Sequence, residues 1–175
     1  MVFRIAYLVI GGCILLAGCQ TNEEYYPDNA TEIPANYESY LQPTYEPMKV
    51  PANTNAYAYM FSSAITKEGS PQMELIRQAT IDEEGFLRIG EYYLAAFGKY
   101  YGPVGTKLRI TTETMEYKVI IADQKQTIHT LNGNNMVGLD YSIIEFVIDK
   151  QGFEWDNVSG RYANSIIGIE KECAK

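Results

Sequence analysis

A few residues in the second half of the chain have the types and spacing that acid–base chemistry needs. Asp123 closes an apolar run, residues 117–122, and opens a polar stretch that lasts to Leu139. A carboxyl group facing a partly desolvated cleft can have its pKa raised and work near neutral pH. His129, the only histidine, lies six residues further along that stretch. An imidazole near a carboxylate makes an acid/base pair or an oriented base. Glu145 interrupts a second apolar run, residues 141–148, and would serve as the second carboxylate of a glycoside-type mechanism. Lys125 is a candidate contact for a glycan or a carboxylate, and Tyr100 and Tyr101, in a glycine-flanked turn, are candidates for stacking on sugar rings. Each has an ordinary alternative: a turn-capping aspartate, a surface histidine, a glutamate facing water, a solvated lysine, a pair of core-filling tyrosines.

Other chemistries lack their residues. One histidine and no paired cysteines fall short of a metal-ligand cluster. No glycine-rich phosphate loop precedes a helix, and no Ser-His-Asp series stands in a known setting. Neither a metal nor a cofactor is expected.

The elements that must position these residues read as short strands. Residues 92–123 are the organising stretch, with three apolar runs joined by turns. Residues 86–89 form a short strand, Gly90 a break, and 92–97 a buried strand; Gly98, Gly102, Pro103 and Gly105 crowd the next turn. Residues 106–111 alternate, with Leu108 and Ile110 on one side and Lys107 and Arg109 on the other. A hairpin at 112–116 leads to the β-branched run 117–122, a central strand. Residues 141–148 form another strand, 155–160 a loop, and 165–169 a closing strand. Ser70-Pro71 is a helix start, and Met73, Ile76 and Ala79 or Thr80 continue it to about Ile81. Residues 55–61 are either a first strand or the end of what precedes. The fold class is therefore mainly β, a small closed β-barrel over residues 57–175 with one short helix.

Residues 1–18 form a leader: Arg4, an apolar core from Ile5 to Leu16, then Ala17 and Gly18 before Cys19. That run is too short for a stable membrane span and fits a signal peptide. Leu16-Ala17-Gly18-Cys19 resembles the bacterial lipobox, which implies a diacylglycerol on the Cys19 thiol, cleavage before it, and attachment to the outer face of a bacterial membrane. Without the leader, 13 Lys+Arg stand against 22 Asp+Glu, a net charge near −9. Such a chain disfavours nucleic acid, and attachment to the membrane would rest on acyl chains. Cys173 would then have no intramolecular partner, and the fold would stand without a disulfide.

Residues 19–56 read as a tether. Five of the seven prolines fall from Pro27 to Pro51, with six acidic residues against Lys49 and with Tyr25, Tyr26, Tyr37, Tyr40 and Tyr45. Prolines at this density oppose helix and central strand, and the composition reads as an extended linker. At roughly 3 Å per residue it would reach on the order of 100 Å.

A wider resemblance rests on Gly-Thr-x-Leu-x-Ile at 105–110, Val-Ile-Ile-Ala-Asp at 119–123 and Ile-Glu-Phe-Val-Ile at 144–148. It rests also on Gly90-Glu91-Tyr92-Tyr93, Gly98-Lys99-Tyr100-Tyr101-Gly102 and Asp123-Gln124-Lys125. Over residues 86–169 the chain resembles the double-psi β-barrel domains of bacterial cell-wall proteins: the rare-lipoprotein-A-like domain, the barrels of lytic transglycosylases, and secreted Firmicute domains. The resemblance implies a substrate-binding or catalytic carboxylate at Asp123, which in the lytic enzymes acts as general acid and then base and leaves an anhydro-sugar. Two readings follow: a lipid-anchored envelope module that binds wall glycan or an envelope protein, or a peptidoglycan lyase using Asp123.

Overall fold

The computed structural model describes residues 42–56, 58–151, 153–162 and 164–173. The leader, the lipobox with Cys19, and the tether up to residue 41 lie outside the described residues. The described chain is mainly β. Its nine strands are β1 (Tyr45–Met48), β2 (Tyr59–Phe61), β3 (Thr80–Ile81), β4 (Leu87–Ile89), β5 (Tyr92–Gly98), β6 (Lys107–Thr112), β7 (Glu116–Lys125), β8 (Glu145–Ile148) and β9 (Ile166–Glu172). Two α-helices join them, α1 (Pro71–Gln78) and α2 (Trp155–Tyr162).

All nine strands belong to one sheet in the order β1-β9-β6-β7-β5-β4-β3, and β8 pairs with both β5 and β2. The sheet is not closed, which corrects the expected closed barrel. β9 is not a closing strand either; it lies between β1 and β6. The nearest approach to closure is Asn55, which bridges Ser142 on one side and Ser165 on the other. One bridging residue is not a ladder.

β5 is the hub. One edge pairs in parallel with β7, from Tyr92 opposite Lys118 to Gly98 opposite Lys125. The other edge is shared, Tyr92 and Tyr93 pairing with β4 and Ala95 and Ala96 with β8. Strands enclosed in this way are buried on both faces, which accounts for their continuous apolar runs. On the inner face Tyr93, Ala95, Phe97, Val119 and Ile121 join the main core. On the outer face Leu94, Ile120, Ala122 and Val147 form a second cluster, covered by Leu75 and Ile76 of α1. α1 starts as its residues dictate: the Ser70 hydroxyl accepts from the Met73 amide, and Pro71 occupies the first turn. It ends at Gln78, because Thr80 and Ile81 pair with β4.

Three further expectations are revised. The tether does not run to residue 56: Tyr45–Met48 is a strand on β9, with Pro47 tolerated at the sheet edge. Residues 155–160 are not a loop but most of α2, whose Tyr162 is buried in the main core. There its ring meets Phe86, Tyr93, Tyr117 and Phe146 at centroid distances of 5.0, 5.7, 6.0 and 5.4 Å. Cys173 is buried and disulfide-bonded, where the sequence predicts a lone thiol.

Candidate functional site

β7 runs past the expected end of its apolar run and carries Asp123, Gln124 and Lys125 within the strand. A bulge between Ala95 and Ala96 sets Ala96 opposite Asp123 and leaves Ala122 without a partner in the register. Bulges re-aim side chains locally. Asp123 is half-buried, and the Gln72 amide of α1 donates to its Oδ1 at 3.5 Å. So Asp123 is neither at a strand end nor capping a turn.

Lys125 and Glu145, two separate candidates in the sequence, meet here. β5 lies between their strands, with Gly98 opposite Lys125 and Ala96 opposite Glu145. Lys125 Nζ is 2.9 Å from Glu145 Oε1, and the lysine side chain is 3% exposed, so it is not a solvated lysine. Glu145 is half-buried and ion-paired rather than free in water. Lys125 also donates to the Ser142 hydroxyl at 2.8 Å and to the Ser142 carbonyl at 3.3 Å. That hydroxyl in turn donates to Asp140 Oδ1 at 2.7 Å, joined by the Ser142 amide at 3.0 Å. Burial pushes the Asp140 carboxyl up, but the two Ser142 donors and the Lys125 charge outweigh it and hold the group below its ordinary value. A lysine on a serine hydroxyl has the layout of a nucleophile with its base. Here the serine is wholly buried and its proton is committed to Asp140, so the cluster braces the fold.

What it braces is the segment 126–144. His129 lies in a single 3-10 turn (Thr127–His129), exposed. Its carbonyl accepts from the Leu139 amide at 3.1 Å, which sets the two arms of the segment side by side. The arms present Ile128, Leu139 and Tyr141, at 75%, 60% and 53% exposure. Tyr141 has a φ of 66°, a left-handed conformation uncommon for a bulky residue. At the root of the segment, Gly98 is required: a Cβ there would lie 2.2 Å from the Asn135 carbonyl oxygen. The two tyrosines divide. Tyr100 is 44% exposed, whereas Tyr101 is buried edge-on against Phe97 at 5.6 Å and belongs to the core.

The structure thus joins Lys125 to Glu145 and leaves Asp123 and His129 apart from that pair and from one another. Ser142 and Asp140 were missed as members of the cluster. Asp140 two residues before Ser142 is the spacing of an Asx turn, but nothing in the sequence ties that turn to a lysine 17 residues away. Among the described residues no group of three or more His, Cys, Asp or Glu side chains could hold a metal ion, and no helix is long and apolar enough to cross a membrane. No family model matches the chain, and neither a curated protein nor a solved structure matches it.

Proposed function

We propose that this chain is a lipid-anchored protein of the bacterial cell envelope whose β domain binds wall glycan or a wall-associated partner through the 126–144 segment. The observation that carries this reading is the exposed set Ile128, Leu139 and Tyr141 on a segment pinned by a buried ion pair. Apolar side chains held out on a braced frame lose little freedom on binding, and adjacent exposed apolar groups mark interaction surfaces. Tyr100 offers a further ring for stacking on a sugar. The anchor rests on the lipobox resemblance at Cys19.

The rival reading, a peptidoglycan lyase using Asp123, keeps the half-buried carboxylate on β7. It is weaker because the proposed second carboxylate, Glu145, is committed to Lys125, and because Asp123 faces an amide. The test uses the full-length chain in detergent, incubated with purified wall sacculi. Binding predicts that the chain pellets with sacculi, releases no anhydro-muropeptides, and pellets at least tenfold less as I128S/L139S/Y141A. Released anhydro-sugars that vanish with Asp123→Asn would replace the binding reading by the enzymatic one. Neither pelleting nor release would exclude glycan as the ligand.

A further inference from the structure

Ten of the described residues have a backbone with positive φ. Six are glycines, which enter that region freely. Three are asparagines, Asn53, Asn132 and Asn135, whose short polar side chain tolerates it. The tenth is Tyr141, at φ 66°. In the left-handed region a Cβ crowds the carbonyl oxygen that follows, and a bulky side chain offers no local hydrogen bond in return.

The turn, not the residue, imposes that conformation. The Gly138 amide donates to the Ser142 carbonyl at 2.7 Å, and the Tyr141 amide donates to the Gly138 carbonyl at 3.0 Å. Leu139, Asp140 and Tyr141 therefore make a three-residue loop closed by a left-handed residue, a position that glycine ordinarily fills. Asp140 Oδ1 accepts from the Ser142 amide and hydroxyl, so a side-chain turn also spans Tyr141. Behind the loop, the Asn55 amide donates to the Tyr141 carbonyl at 3.5 Å, and Lys125 holds Ser142.

The fold gains nothing from a tyrosine in this place. More than half of the side chain is exposed. Among the described residues its hydroxyl meets no hydrogen-bond partner and its ring no other ring. Backbone strain of this kind persists where the surroundings over-determine it, and it clusters at ligand clamps. A rigid aromatic ring supplies contact area at low entropic cost, which is why tyrosine is enriched among the residues that dominate binding.

The charge around the ring says what it can meet. From residue 126 to 144 Asp140 is the only Asp, Glu, Lys or Arg, in a chain that holds 22 Asp+Glu and 14 Lys+Arg. Its carboxylate is committed to Ser142. Ile128 and Leu139 add exposed apolar surface and no charge. Such a surface matches an uncharged face of a ligand.

We propose that Tyr141 is the specificity-determining residue of the 126–144 surface: the chain keeps a tyrosine in a left-handed turn so that its ring stands out against an uncharged face of the ligand. This role rests on the binding reading given above. The test uses the full-length chain in detergent, with thermal unfolding and pelleting with purified sacculi as its two readouts. Y141A removes the ring and keeps the Cβ; Y141G removes both. Y141A should melt within about 2 °C of the wild type, and Y141G about 2 °C above Y141A. Each should pellet at least about tenfold less than the wild type, and I128S/L139S should lose less than either. Pelleting of the wild type should change less than about twofold between about 0.05 and 0.5 M salt, since no charge is being screened. Y141A pelleting within about twofold of the wild type, a larger loss in I128S/L139S, a steep fall with salt, or a Y141G no more stable than Y141A would each overturn this role and leave the binding reading standing. A wild type that does not pellet would overturn both.

Discussion

At the scale of single residues, Lys125 changes meaning most between sequence and structure. Beside Asp123 in a polar stretch it looks like a ligand contact; in the fold it is a buried cation held by Glu145 and Ser142. A buried ion pair is weak evidence of net stability, but removing one partner is costly because the other charge is stranded. Glu145 is 30% exposed, so water relieves part of that cost. Lys125→Met is expected to destabilise by about 2–3 kcal/mol, discounted from the fully buried case. K125M/E145M should recover at least half of the loss, because the two changes remove both charges and are not additive. Urea denaturation of the two variants checks this. A K125M loss below about 0.5 kcal/mol would place the pair among solvated surface bridges. The same cluster explains Gly138, where a Cβ would lie 2.6 Å from Asp140 Oδ1 and 3.0 Å from Lys125 Nζ.

At the scale of elements, α2 shows what sequence reading cannot reach. Its residues include Asp156, Asn157 and Gly160, all weak helix formers. What fixes the helix is Tyr162, which enters the aromatic cluster of the main core and whose hydroxyl meets that of Tyr93. Tyr162→Ala is expected to cost about 3–5 kcal/mol, as for other large aromatic truncations. Tyr162→Phe, which keeps the ring and loses the hydroxyl's contacts with Tyr93 and Glu84, should cost about 1–2 kcal/mol. Thermal unfolding of both checks this, and equal losses would mean that the hydroxyl pair rather than the ring sets the helix in place. The elements that were legible carry their reason locally: Ser70-Pro71 for α1, alternation for β6, a β-branched run for β7. β1 and α2 were not legible, because pairing with β9 and packing of Tyr162 are long-range contacts that override composition. The same holds for the site. Asp123, Lys125 and Glu145 stand out by residue type, but which of them meet is decided by β5 lying between β7 and β8.

At the scale of the whole molecule, the anchor proposed at Cys19 and the disulfide of Cys173 draw on few sulfurs. Cys173 is disulfide-bonded, and the chain holds only two other cysteines, Cys13 and Cys19. If the leader is removed as the lipobox resemblance implies, Cys19 alone remains. One sulfur cannot carry both a diacylglyceryl thioether and a disulfide, so a processed lipoprotein would have Cys173 reduced. Loss of a native disulfide typically costs 2–5 kcal/mol, and the anchored form would have to meet that cost from its two apolar clusters and buried ion pair. The lipoprotein reading therefore predicts that the membrane-extracted chain has lipid mass on the Cys19 peptide. It predicts also that Cys173 reacts with maleimide only after unfolding, since the side chain is buried. Finally, reductant should leave the melting temperature of that form unchanged within about 2 °C, because no bridge is there to lose. A large fall under reductant, accompanied by an unmodified Cys19 peptide, would mean that the bridge survives in the mature protein. The chain would then be secreted without this anchor.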